Sequence, residues 1–286
     1  MKSILVPVSG SDTDRFVLDA AFELANRLKA HLAFAHVPLL GLDIGISDPH
    51  VEYARGEALG IALKERALKS RNRETRAREA ALAFCAAKSI AMSDVPGRCA
   101  AVTANWIANA CDDPEALLRL ARTYDLIIAG RSDHTVSLNL LDLLVADCGR
   151  PILILPARVT SFSCSSVAIW WKDHGAGARA VSASMPIIRL ADRVSVLTAA
   201  EPSQRYADTV EKLAMQMRWH GIDARSREIE DKGETAIEAL WSASREEGAG
   251  LVVMGAYSRS RVREGIFGGC TQSVLEEARL PVLLLH

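Results

Sequence analysis

The stretch Gly255-Ala256-Tyr257-Ser258-Arg259-Ser260-Arg261-Val262-Arg263-Glu264-Gly265-Ile266-Phe267-Gly268-Gly269-Cys270-Thr271 holds the residues best suited to grip an anion. The apolar run Leu251-Val252-Val253-Met254 before it reads as a buried strand ending at Gly255. Ligands of open α/β sheets lie beyond the carboxyl ends of strands, where a side chain at Gly255 would hold a ligand off the backbone. Val274, Leu275 and Ala278 mark a helix that Gly268-Gly269 would open. The unpaired amides of a helix start, set beside glycines, form an anion site. Thr271 adds a hydroxyl in the first turn, and Arg259, Arg261 and Arg263 add positive charge. Phosphate is the guest this chemistry suits. Glycines also stand at strand and helix ends for conformational reasons alone, so a loop without a ligand stays open as the alternative.

A second stretch competes with it. Gly175-Ala176-Gly177-Ala178-Arg179-Ala180 fits G-x-G-x-x-A, the dinucleotide fingerprint, and Glu201 lies near the end of the next expected strand as a ribose acid. Against it, Lys172-Asp173-His174 separates the strand from the glycines, and Glu201 stands further from Gly175 than the fingerprint prefers. Small residues there equally serve close packing of a helix on a sheet. His174 reads as a loop histidine rather than a base. No Walker A pattern, Ser/His/Asp order or carboxylate pair can be placed in a cleft. The six cysteines and seven histidines are scattered without zinc-ligand spacing. No catalytic or metal-binding residue is assigned.

The elements that would position the loop repeat along the chain. Asp125-Leu126-Ile127-Ile128-Ala129-Gly130 in the first half corresponds to Leu251–Gly255 in the second, and Pro151-Ile152-Leu153-Ile154-Leu155 to Pro281-Val282-Leu283-Leu284-Leu285. Ser3–Val8, a helix over Phe16–Lys29 and a strand over Ala30–Val37 match Ser166–Trp171, Gly177–Leu190 and Arg193–Ala199. Asp113-Pro114-Glu115 is a helix start, with an Asp cap and Pro at the first helical position. Each half therefore reads βαβαβαβαβ, an open, mostly parallel five-stranded sheet with helices on both faces. The expected domains are residues 1–156 and 166–286, joined by a serine-rich linker over 157–165.

Ala54–Lys88 has no counterpart in the second half. It is helical in composition, and Lys64–Glu79 holds seven basic residues against three acidic ones. Pairs such as Glu65/Lys69 and Glu74/Arg78, the lack of interleaved aromatics and a net charge of −1 favour a solvated helix over a nucleic-acid face. The length of 286 residues suits two domains, and 49% hydrophobic content supplies a core for each. No apolar run approaches the ~18 residues of a spanning helix, and the N-terminus lacks a signal-peptide pattern. The expectation is a cytoplasmic protein with no nucleic-acid or membrane partner.

The spacing Gly255-x2-Ser258-x9-Gly268-Gly269-Cys270-Thr271 resembles the phosphate motif of the universal stress protein family, which runs glycine, two residues, glycine, nine residues, glycine, then serine or threonine. The flanks Val252–Tyr257 and Pro281–Leu284 are similar to the tandem bacterial members. The resemblance implies the family's Rossmann-like (HUP) fold in both halves and a stress-response protein binding ATP, with or without Mg²⁺. Trp171, Lys172, Asp173, Met254, Gly255, Ser258, Gly268, Gly269, Cys270 and Thr271 would line that site. Ser258 replaces the second glycine, Gly269 the usual hydroxyl residue, and Lys172 stands at the ribose aspartate, with Asp173 next to it. Of Trp170 and Trp171, one is expected in the core and the other beside an adenine.

The first half has Ser9 at the aspartate position and Leu138-Asn139-Leu140-Leu141 where Gly268–Thr271 stand in the second. It has lost the site on this reading. The resemblance gives it a structural part, an internal pseudo-dimer through the last strands, with a homodimer as a further assembly. A ligand-free interaction module, a slow ATPase and an NAD-dependent oxidoreductase are the competing readings.

Overall fold

The computed structural model describes residues 1–11, 14–36, 57–97, 101–108, 114–131, 135–156, 161–199, 207–230, 235–257 and 270–286. The chain divides into two compact units, Met1–Leu143 and Leu144–His286.

The first unit contains β1 (Ser3–Val8), α1 (Asp14–Leu28), β2 (His31–His36), α2 (Glu57–Ala87), β3 (Ala91–Met92), β4 (Thr103–Ile107), α3 (Pro114–Ala121) and β5 (Leu126–Gly130). Its strands lie in the order β3-β4-β2-β1-β5. All four pairings are parallel. Ile4, Leu5 and Val6 of β1 have no exposed surface, as expected for a central strand covered on both faces. Val17, Leu18, Ala21, Leu24 and Ala25 form the buried stripe of α1. The long helix α2 packs through Ala77, Ala81 and Cys85, residues one helical turn apart and all buried. At its end Phe84 meets Phe22 edge to face at 6.2 Å. Lys88 then pairs with Asp19 at 3.0 Å.

The second unit takes the end of α4 (Thr135–Asp147) and then β6 (Ile152–Leu155), β7 (Ser166–Trp170), α5 (Gly175–Ile188), β8 (Arg193–Ala199), α6 (Ala207–Trp219), β9 (Ala224–Ile229), α7 (Ala236–Glu246), β10 (Leu251–Gly255), α8 (Cys270–Glu277) and β11 (Val282–Leu285). The order is β6-β11-β10-β7-β8-β9. Strands β7 to β11 pair in parallel, and β6 runs antiparallel to β11 with Val282 opposite Ile154. Leaving β7 the chain builds β8 and β9 on one side, then returns to build β10 and β11 on the other. The switch point of this unit is therefore between β7 and β10, where open α/β sheets hold their ligands.

Candidate functional site

Met254 pairs with Trp170, so β7 and β10 end side by side. Both of these residues are core: Trp170 is 5% and Met254 6% exposed. The Trp170 indole N–H donates to Ser244 Oγ at 2.8 Å and its ring meets Trp241 edge on at 4.5 Å. Trp171, the next residue, is only half-buried, and its indole N–H donates to Thr209 Oγ1 at 3.1 Å from α6. One tryptophan is thus core, and the other stays at the strand ends.

After Trp171 the chain turns tightly, with the His174 amide donating to Lys172 O at 2.7 Å. His174 then caps α5, its Nδ1 accepting from Ala176 N at 3.3 Å. This use accounts for the histidine without a catalytic part. Two of the predicted glycines meet here. A Cβ on Gly255 would lie 2.5 Å from Gly177 N and 2.6 Å from Ala176 C, and one on Gly177 would lie 2.8 Å from Lys172 O. The missing side chain of Gly255 lets the start of α5 rest on the end of β10, and that of Gly177 makes room for the Lys172 carbonyl. Close backbone packing explains both glycines, Gly255 of the phosphate motif against the start of α5 and Gly177 of the dinucleotide fingerprint against the Lys172 carbonyl.

Beyond Gly255, Ala256 N donates to Leu285 O at 2.9 Å. Tyr257 adopts φ +48°, a left-handed conformation that turns the chain out of the strand. Its amide donates to Thr271 Oγ1 at 3.0 Å, and Thr271 is 6% exposed in the first turn of α8. The Tyr257 ring meets His286 at 5.7 Å, while Arg179 Nε donates to His286 O at 3.2 Å. Cys270 is exposed at the start of α8, with the Lys172 ammonium near enough to act on its thiol. Lys172 is therefore electrostatically coupled to the start of α8. Trp171, Lys172, Gly255, Cys270 and Thr271 are gathered by these contacts, and Asp173 is exposed beside them. Ser258, Gly268 and Gly269, with Arg259, Arg261, Arg263 and Glu201, lie outside the described residues.

At the end of β1 in the first unit, Asp14 and α2 approach the chain closely. Asp14 accepts from Gly10 N at 2.7 Å, from Ser9 N at 3.1 Å and from Ser9 Oγ at 2.9 Å. Gly10 has φ +78°, and a Cβ there would lie 2.6 Å from Arg73 O of α2. Leu140 and Leu141, standing where the second half has Cys270-Thr271, are buried in α4. His36, on no site reading from sequence, sits at the end of β2 with Nδ1 3.1 Å from Val8 O. Nothing in its neighbourhood in sequence marks it out. Among the described residues, the buried side-chain atoms without a hydrogen-bond partner are His36 Nε2 and Arg131 Nε.

Residues 171–286 match the model of the universal stress protein family. The second half is a universal stress protein domain. The universal stress protein of Archaeoglobus fulgidus DSM 4304 is similar over 99% of this chain and 95% of its own at 15% identity, with a TM-score of 0.67. The putative universal stress protein of Pseudomonas aeruginosa UCBPP-PA14 matches 100% of this chain and 93% of its own, also at 15% identity, with a TM-score of 0.54. At that identity the likeness shows the fold, and it extends over both halves. Comparison with curated proteins finds no match. Among the described residues no helix is long and apolar enough to cross a membrane, and no group of three or more His, Cys, Asp or Glu is arranged to hold a metal.

Proposed function

We propose that the universal stress protein domain binds ATP or a related adenine nucleotide above the ends of β7 and β10. On this reading the chain acts in a bacterial stress response by nucleotide-dependent interaction, in the cytoplasm. The observation that carries the reading is the Tyr257–Thr271 bond. It ties together the two ends of the segment bearing the family's phosphate motif, at the switch point of the unit. The Thr271 hydroxyl accepts from Tyr257 and has its own proton to donate to a phosphate oxygen. Lys172 supplies positive charge near the start of α8, where helix amides also favour an anion. Trp171 offers a half-buried ring on the neighbouring strand end for a base. The pairing of Ile152–Leu155 with Val282–Leu285 supports a part for the end of the first half in serving the second.

The test is a thermal scan with ATP, ADP, AMP and NAD, with and without Mg²⁺. ATP is expected to raise the Tm, by about 2.7 kcal/mol of stabilisation at a hundredfold excess over Kd. Gly268→Glu should abolish the shift. A second reading, a ligand-free interaction module, draws on the contact of Gly255 with the start of α5, because that contact requires a glycine there with no ligand. A scan flat across all nucleotides selects it. A shift with NAD that Gly175→Val removes selects the oxidoreductase instead. Mass spectrometry of ligand released from freshly purified protein addresses all three.

A further inference from the structure

Asp14 of α1 and Arg73 and Glu74 of α2 act on the charge of His36 at the end of β2. His36 is 7% exposed. Its Nδ1 lies 3.1 Å from Val8 O, and a carbonyl oxygen only accepts, so Nδ1 carries the proton of the neutral ring. Nε2 is then a bare lone pair, and among the described residues it is buried without a hydrogen-bond partner. The cover over this region includes α2, whose Arg73 carbonyl presses on Gly10 so closely that a Cβ there would be 2.6 Å away.

Adding a proton at Nε2 places a second N–H and a full charge in that buried position, which is costly without an acceptor. The nearest acids differ in how free they are. Asp14, from α1, already accepts from Ser9 N, Ser9 Oγ and Gly10 N. Glu74, from α2, acts on the ring alongside Arg73 of the same helix, and the two have opposite signs. Burial is the largest influence and holds the imidazole below its ordinary 6.5; the Val8 carbonyl, Glu74 and Asp14 work against it, and Arg73 works with it. A ring that charges must find water, and Arg73, on the α2 segment that closes on Gly10, opposes its charge.

We infer that His36 is a proton-operated latch on α2: the helix stays seated over the β1–α1 turn while the ring is neutral, and lifts as the ring takes up a proton. The sign follows from linkage. The seated form binds the proton less readily than the open form, so its stability is fully present above about pH 6.5 and is lost as the pH falls below that value. This device belongs to the first unit and does not depend on nucleotide binding in the second.

Hydrogen–deuterium exchange of the full chain from pH 8 to pH 5, corrected for intrinsic exchange, tests it. Peptides spanning residues 73–90 should lose protection below about pH 6.5, by up to tenfold per pH unit for one linked proton. Peptides of β10 and β11 should not follow. In His36→Asn, whose side-chain amide keeps a donor for Val8 O but does not titrate, the loss should vanish. Equal slopes in both proteins, or no slope in the wild type, overturn the latch. If His36→Asn does not fold, histidine NMR titration of the wild type decides. A His36 pKa below 6.5 with α2 resonances moving at the same midpoint supports it, and an ordinary pKa or an unresponsive α2 overturns it.

Discussion

Thr271 Oγ1 accepts the backbone N–H of Tyr257 across 3.0 Å, joining the first turn of α8 to the residue that leaves β10. Tyr257 holds a left-handed φ of +48°, which this bond helps to keep, since such a conformation is disfavoured for a bulky side chain. Thr271→Ala should cost about 1–3 kcal/mol, the penalty of a buried donor left unpaired. Thr271→Ser should recover most of it. Chemical denaturation checks the stability, and an ATP thermal shift reduced in the alanine variant but kept in the serine variant ties the same bond to the loop.

The contact of Gly255 with Gly177 gives a graded prediction. Gly255→Ala sets a Cβ 2.5 Å from backbone nitrogen, where no side chain can move aside, and should destabilise by about 1–3 kcal/mol. Gly175→Ala meets only the Arg179 Nη1 at 3.2 Å, the end of a flexible side chain. It should be neutral or slightly stabilising in a helix's first turn. Equal losses in both variants, read from urea midpoints, would count against the contact as the reason for Gly255.

Trp170→Phe removes the N–H that donates to buried Ser244 and alters the edge-on contact with Trp241. A loss of about 1–3 kcal/mol is expected. Trp171→Phe loses a half-buried bond to Thr209 and should cost less, while weakening any adenine contact. Tryptophan fluorescence during unfolding separates the two.

Acid should weaken the first unit through Asp125 as well. Burial opposes its charge, but the Lys2 and Ser3 amides, at 2.6 and 3.1 Å, and the amino terminus outweigh that and hold its pKa below the usual 3.8. A depressed carboxylate contributes stability that is present above pH 3.8 and lost as the pH falls through the folded value. Asp125→Asn should be less stable at neutral pH and show a shallower decline below about pH 4. Unfolding followed at pH 7 and at pH 3 measures the difference.

Much of the architecture is written in local pattern. Ser3–Val8 and Arg193–Ala199 are strands with the bounds their apolar runs predict, and Pro114 opens a helix as its place after Asp113 requires. The helix expected over Ala54–Lys88 runs from Glu57 to Ala87. The site was legible in part, because strand ends, glycines and a hydroxyl at family spacing are sequence features. The use of each glycine was not, because a missing side chain has the same sequence signature whether a ligand or a helix backbone approaches it. His36 was missed for a related reason: one histidine ending an apolar strand carries no pattern until the fold buries it beside Val8.

The sequence by itself determined a doubled α/β chain and the residue types of the segment Gly255–Thr271, because hydrophobic period and residue type are local properties. Tertiary structure decided which groups share a place. It set Gly255 against Gly177 and put Arg73 against Gly10. These are contacts across tens of residues, created by parallel crossovers that return the chain to the same sheet end, and no local period encodes them.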